Sequence, residues 1–362
     1  MLIVDAHEDI AYNALGYHRQ YLKSVKETRL AEGDAPWVQE DGPALLGWPE
    51  WIEGRVAVIF ATLFATPERR RKHHWEPKAY RDLDQAFDLY KQQVAFYHRW
   101  EDQHPDRFRI LRTRSDLQDV IHSWQEQQEG HPLIGLLLLM EGADPIRTPD
   151  ALEEWVADGV RMIGPAWTAT RYAGGTHEPG PLTRDGRELL EAMQAWNLIL
   201  DLSHMTDPGV MQALDQYEGA VVASHCNARA LVQNSPTPER HLSDQAIRTL
   251  AERDGVVGVV PFNPFLEGGW KPAHGRHLVT LDHVYAQIDH MCQLIGDAAH
   301  VGIGSDFDGG MGVSKIPMGL DSVADLRLIG DVLTAHGYPE DAVKAIMGEN
   351  WINLLRCALP ES

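Results

Sequence analysis

Near the start of the chain, DAHED (5–9) places one imidazole and three carboxylates within five residues, directly after the apolar LIV (2–4). In extended chain, residues i and i+2 point to the same side. His7 and Asp9 can therefore reach one ion together, while Glu8 points away. Comparable residues end four other apolar runs: Glu141 after LIGLLLLM (133–140), His204 after LILDLS (198–203), His225 after AVVAS (220–224) and Asp306 after HVGIGS (300–305). A mixed set of imidazoles and carboxylates suits zinc, and equally manganese, iron or cobalt. Six such groups exceed what one tetrahedral ion takes, so the pattern predicts two ions a few ångströms apart that share a carboxylate. Such a pair activates a water and polarises a carbonyl or phosphoryl oxygen. Taken singly, each residue has a plainer reading. A strand-end Glu is a solvated charge or a helix cap, a lone His is a hydrogen-bonded structural group, and Asp306 caps the loop through Gly309 and Gly310. The weight lies in five strand ends agreeing.

The elements that must position these groups are legible in the same runs. With VAVIFATLF (56–64), VRMIG (160–164) and GVVGVVPF (255–262) there are eight strand-like segments. They are continuously apolar rather than alternating, as expected of parallel strands buried on both faces. Helix-compatible stretches separate most of them: 149–159, 183–196, 243–255 and 281–296. Thr183 and Ser243 are predicted N-caps, and Gly255 and Gly296 predicted helix-ending glycines. Alternating strand and helix implies βαβ units, and eight units predict an α/β fold, a (β/α)₈ TIM-type barrel with helical insertions. In that architecture reactive groups sit at the C-terminal ends of the strands, where all six candidates fall. Residues 12–54 read as a long insertion, 65–131 as a charged and aromatic stretch that is largely helical, and the Gly- and Pro-rich 170–182 as a loop. With no repeat and no Gly/Ser linker, residues 1–362 are expected to form one domain.

Composition narrows the function further. The chain is 44% hydrophobic and 23% charged, with a formal net charge of −21. That balance argues against nucleic acid or an anionic membrane as partner, since both select clustered Lys and Arg. Three cysteines, Cys226, Cys292 and Cys357, give no disulfide framework and no CxxC pair, which fits a reducing compartment. No basic segment followed by an apolar one marks a signal peptide, and no apolar run is long enough to span a bilayer. A cytoplasmic protein is expected.

The pieces DAHED (5–9), MEGAD (140–144), LDLSH (200–204), ASHCNARAL (223–231), RHLSDQAI (240–247), DGVVGVVPFNPFL (254–266) and HVGIGSDFDG (300–309) run through nearly the whole chain. In order and spacing they resemble the membrane (renal) dipeptidase family of binuclear zinc peptidases, within the amidohydrolase superfamily. The resemblance implies two zinc ions, one held by His7, Asp9 and Glu141 and the other by Glu141, His204 and His225, with Glu141 bridging. It implies a dipeptide substrate attacked by a hydroxide between the metals, with Asp306 moving the proton to the leaving amine. It implies that Arg240 binds the substrate's C-terminal carboxylate, a task its planar fork suits, and that Tyr12 lines the pocket. Without the resemblance, Arg240 reads as a surface ion pair. A homodimer is a further implication. One position departs from the family. Where it carries a histidine after the fourth strand, the stretch here reads GPAWTATRY, and Trp167 takes that place. An indole has one donor and no positive charge, which points to His177 or Arg171 as a substitute donor. It also keeps open a second substrate reading: another amide, an N-acyl amino acid or a lactone.

Overall fold

All eight apolar runs are strands of one parallel sheet. The computed structural model describes residues 1–125 and 131–361. Eleven strands occur among them: β1 (Ile3–Glu8), β2 (Val56–Leu63), β3 (Phe108–Ile110), β4 (Ile134–Glu141), β5 (Val160–Gly164), β6 (Ala173–Gly175), β7 (Glu178–Leu182), β8 (Ile199–Asp201), β9 (Val221–Val222), β10 (Val257–Val259) and β11 (Val301–Ile303). The sheet order is β10-β11-β1-β2-β4-β5-β8-β9, with β3 added beside β4. A single parallel bridge, Ala223 to Val257, brings β9 against β10 and nearly closes the ring. The result is the expected α/β barrel.

The strands are apolar throughout because both faces are covered. Val4, Ala6, Val58, Phe60, Leu137, Leu139, Met162 and Val222 pack with Trp351 in one cluster, while Ile3, Ile59, Leu136 and Leu138 pack in a second cluster with the surrounding helices. The Trp351 indole donates to the Ile303 carbonyl at 3.2 Å, and a Cβ on Gly302 would lie only 2.2 Å from its Nε1. That glycine is what lets the indole lie against β11. Truncating Trp351 to alanine would cost about 3–5 kcal/mol by the usual core scale.

Thr183 and Ser243 cap helices Arg184–Ala195 and Asp244–Ala251 by accepting from Gly186 and Ala246 N–H groups, and Gly296 ends Leu281–Ile295 in the left-handed region. Gly255 does not end its helix: the segment stops at Ala251, and Asp254 takes the positive φ. Two other expectations need correction. The 170–182 stretch is not simply a loop but the antiparallel hairpin β6–β7, and the 65–131 stretch contains β3 beside its helices Leu83–Gln103 and Arg114–Gln125. Residues 126–130 of that stretch lie outside the described residues. Among the described residues no helix is long and apolar enough to cross a membrane.

Candidate metal centre

The six sequence candidates converge at the C-terminal rim of the barrel. The register of β1 against β2 slips between Asp5 and Glu8, and an irregularity of this kind at a rim re-aims side chains. His7 then points to the centre, and both Glu8 oxygens turn away to the Trp51 indole N–H, at 3.0 and 3.2 Å. Asp9 follows as the first residue before helix Ile10–Gly16. Two further members sit in the left-handed region although they are not glycine, His204 with φ 68° and Asp306 with φ 57°. Backbone of that kind costs energy and recurs at functional sites.

Glu141 is the hub. Its Oε2 lies 3.6 Å from His7 Nε2, while its Oε1 lies 2.8 Å from His204 Nε2 and 3.7 Å from His225 Nε2. One carboxylate thus offers one oxygen to each side. His7 Nε2 is also 4.0 Å from Asp9 Oδ2 and 3.9 Å from Asp306 Oδ1. His204 and His225 bring their Nε2 atoms within 3.0 Å of each other. Two nitrogens bound to one tetrahedral ion at about 2.1 Å stand roughly 3.4 Å apart, so this spacing suits a shared cation. His7 Nε2 is fully buried and has no hydrogen-bond partner among the described residues, an arrangement that proteins avoid unless something else fills the valence. The donor set and the orphaned nitrogen both fit a divalent metal. The groups His7–Glu141–His225 and His7–Asp9–Asp306 each bring ligand atoms within 4.8 Å of one another.

The electrostatics agree. Burial disfavours a proton on His7, but the Glu141, Asp9 and Asp306 carboxylates outweigh it and push the imidazole up to about 9. Burial, with Glu141 close by, raises Asp9 to about 7. Asp306 is driven well up by burial and by the Asp9 and Glu141 charges, against the pull of His7. Burial would raise Glu141 too, yet His7 and His204 hold it well below the usual carboxylate range. Burial and Arg240 hold His204 down to about 3, and burial with His7 keeps His225 neutral. Crowded carboxylates that resist ionisation are what a bound cation would relieve, because its charge dominates such a site.

Neighbouring side chains aim the ligands. Thr176 Oγ1 meets His204 Nδ1 at 2.9 Å. Ser224 Oγ meets His225 Nδ1 at 2.8 Å and is itself held by Asp201 Oδ2 at 2.5 Å. Thr62 donates to Asp9 Oδ1 at 2.5 Å. Partners of this kind fix which imidazole nitrogen faces the metal. The sequence reading missed all four. One signal was available, the Ser-His dipeptide repeated at two strand ends: Ser203 and Ser224 lie 3.2 Å apart, and Ser203 Oγ also accepts from the His225 N–H at 3.1 Å.

A cavity of about 390 Å³ opens above this centre. Asp9, Glu141, His204 and Asp306 form part of its lining, with Tyr12, Trp167, His177 and Arg240 among the residues around them. Arg240, from the turn Pro238–Arg240, is buried. It donates to Cys226 Sγ at 3.2 Å, stacks over Phe265 at 5.2 Å and leaves one terminal nitrogen with no partner among the described residues. Among the described residues it forms no ion pair, so the surface-pair alternative fails. Arg171 is not in the cavity: it donates to Asp185 at 2.6 Å and to the Arg147 carbonyl at 2.7 Å. Of the two substitute donors only His177 faces the pocket, its ring 6.0 Å from that of Trp167.

Comparison with known proteins places the chain in a family. The family model described as membrane dipeptidase (peptidase family M19) matches residues 1–359. An uncharacterized protein from the pqqA 5′ region of Klebsiella pneumoniae is 33% identical over 214 residues, covering 57% of this chain and 74% of its own. Dipeptidase verJ of Clonostachys rogersoniana is 25% identical over 363 residues, covering 98% of this chain and 83% of its own. Among solved structures, a metallo peptidase from Rhodobacter sphaeroides, liganded with a phosphinate mimic of the dipeptide L-Ala-D-Ala, matches with a TM-score of 0.78 at 24% identity over 99% of both chains. The probable dipeptidase PvdM from Pseudomonas aeruginosa matches with a TM-score of 0.78 at 19% identity, over 100% of this chain and 96% of its own.

Proposed function

The chain belongs to the membrane dipeptidase family, and from that premise we propose the residues with which it performs metal-dependent hydrolysis of dipeptides. Two divalent ions, zinc foremost, would be held by His7, Asp9 and Glu141 on one side and by Glu141, His204 and His225 on the other. The single observation that carries this reading is the Glu141 carboxylate, with one oxygen toward His7 and the other toward the His204–His225 pair. When bound, such ions supply a water acidic enough to ionise near neutrality and a Lewis acid for the peptide carbonyl.

The chain's own residues do the rest. Arg240 holds the C-terminal carboxylate of the substrate with the guanidinium nitrogen that has no partner among the described residues, a charge-assisted contact that fixes the scissile bond over the centre. Asp306 accepts the proton of the attacking water on a carboxylate oxygen and delivers it to the amide nitrogen as the C–N bond breaks. Thr176 holds His204 with Nε2 turned to Glu141. Trp167 and Tyr12 line the cavity, and of the two candidate substitute donors His177 is the one that faces it. All three cysteines are free, which is compatible with a cytoplasmic setting. The test is elemental analysis with activity on the same sample. Close to two metals per chain, dipeptide cleavage lost on chelation and regained with zinc are expected. A fully metallated protein inert toward a broad dipeptide panel would overturn the assignment.

A further inference from the structure

One wall of the cavity is aromatic from the metal centre outward. The ring of Trp167 lies 6.2 Å from His204 and 5.0 Å from Phe64. Phe64 stands 5.2 Å from Tyr12, Tyr12 stands 6.2 Å from Tyr17, and Tyr17 stacks on Trp37 at 4.9 Å. All five rings line the cavity, so the series follows its side from floor to mouth. Most neighbouring pairs meet at steep angles: 60° for Phe64–Trp167, 61° for Tyr12–Phe64 and 88° for Tyr12–Tyr17. Edge-to-face series of this kind extend favourably to one further ring.

The barrel fixes which end of a substrate meets this wall. Tyr12, Phe64 and Trp167 follow β1, β2 and β5, whereas Arg240 lies between β9 and β10. In the ring order, β2 and β9 stand four strands apart in an eight-strand circle, so wall and guanidinium face each other across the centre. A dipeptide whose carboxylate is held by Arg240, with its peptide carbonyl over the metal centre, must direct its N-terminal residue toward the wall.

We infer that this aromatic wall is the binding site for the N-terminal side chain, and that the preferred substrates are dipeptides with an aromatic residue at that position. The inference rests on the dipeptidase reading and on Arg240 as carboxylate anchor. A side chain laid against these rings loses apolar area to water, and the rings add a contact that an aliphatic side chain of similar area does not make.

The experiment measures kcat/KM of the zinc-loaded enzyme on two series, X-Gly and Gly-X, with X = Trp, Phe, Leu, Lys, Glu or Gly. Phe-Gly and Trp-Gly are expected about 10- to 100-fold above Gly-Gly, from burial of the side chain, and about 2- to 10-fold above Leu-Gly, from ring–ring contact. The Gly-X series should show no comparable aromatic preference. In the Tyr17→Leu variant the Phe-Gly to Leu-Gly ratio should fall, whatever its absolute rates. A flat X-Gly series, a preference for Lys-Gly, Glu-Gly or Leu-Gly, or an aromatic preference confined to Gly-X would overturn the inference while leaving the dipeptidase reading intact. Cleavage of no member of either series would overturn both.

Discussion

Gly309 tests the placement of Asp306 most directly. A Cβ at this position would stand 2.0 Å from Asp306 Oδ1 and 2.6 Å from Asp9 Oδ2, with the Asp306 carbonyl oxygen at 2.9 Å. Real Cβ contacts essentially never fall below 3.0 Å, so Gly309→Ala forces the Asp306 carboxylate to move by about 1 Å, the difference between 3.0 and 2.0 Å. Asp306 cannot yield easily, because its chain is short and its backbone is already left-handed. Its N–H also donates to the His7 carbonyl at 3.0 Å. Misplacing a reacting group by 1 Å costs about 10²-fold in rate, so kcat/KM on a good dipeptide is expected to fall by about that factor. The assay pairs steady-state kinetics with metal content and a thermal melt. Gly180→Ala is the control, because its Cβ would meet nothing closer than 3.6 Å, and it should stay within about twofold of the parent. A Gly309→Ala protein with full metal content and kcat/KM within about fivefold of the parent would refute the reasoning, because the 1 Å displacement would then be harmless.

Three further outcomes are expected. Arg240→Lys should lower kcat/KM on free dipeptides by about 30-fold or more, since a point charge cannot replace a buried planar fork; an equal loss on C-terminally amidated dipeptides would remove the carboxylate role. Thr176→Val, which keeps the branched shape but loses the 2.9 Å contact with His204 Nδ1, should weaken metal binding by about 10- to 100-fold in a chelator competition. Metal affinity equal to the parent's would show that His204 needs no such partner. Arg19→Met leaves Asp308 and Glu32 without the buried guanidinium that pairs them at 3.0 and 2.6 Å, so urea unfolding should report a loss of about 3–5 kcal/mol. A loss typical of an exposed pair, under about 1 kcal/mol, would mean the insertion is held to the catalytic rim by something else.

That last network marks where sequence reading stops. Asp308 accepts from Arg19, from the Tyr21 hydroxyl at 2.8 Å and from the Leu45 N–H at 2.9 Å, so the 12–54 insertion is tied to the loop that carries Asp306. Nothing in the spacing of Arg19, Tyr21 and Asp308 announces this, because the partners are brought together only by ring closure. The same holds for Thr176. It rides on a hairpin of Ala-Gly-Gly and Glu-Pro-Gly-Pro-Leu, which has no strand signature, and the hairpin is fixed from outside: the Thr176 N–H donates to the Trp167 carbonyl at 3.1 Å and the Gly180 N–H to Thr206 Oγ1 at 3.1 Å. β3 was equally hidden, since three residues within a charged stretch carry too short a pattern to separate strand from helix.

The ligands themselves were legible for a reason the fold supplies. Parallel strands in a ring all point their C-terminal ends to one rim, so a residue's local position, last in an apolar run, already fixes its global position. Glu141, His204 and His225 each close such a run and meet within 3.7 Å. The other residues that steer them obey no such rule, because each lies on a neighbouring strand or loop and answers to a partner tens of residues away. Ser224 is the intermediate case: it sits one residue before a ligand, so its place on the rim was readable, but its restraint by Asp201 comes from the adjacent strand. In this barrel, then, what binds is written along the strands and what orients is written across them. A redesign of specificity that leaves the metal ligands untouched therefore has to work on the across-strand set, beginning with Trp167 and Phe64, which follow different strands yet share one wall.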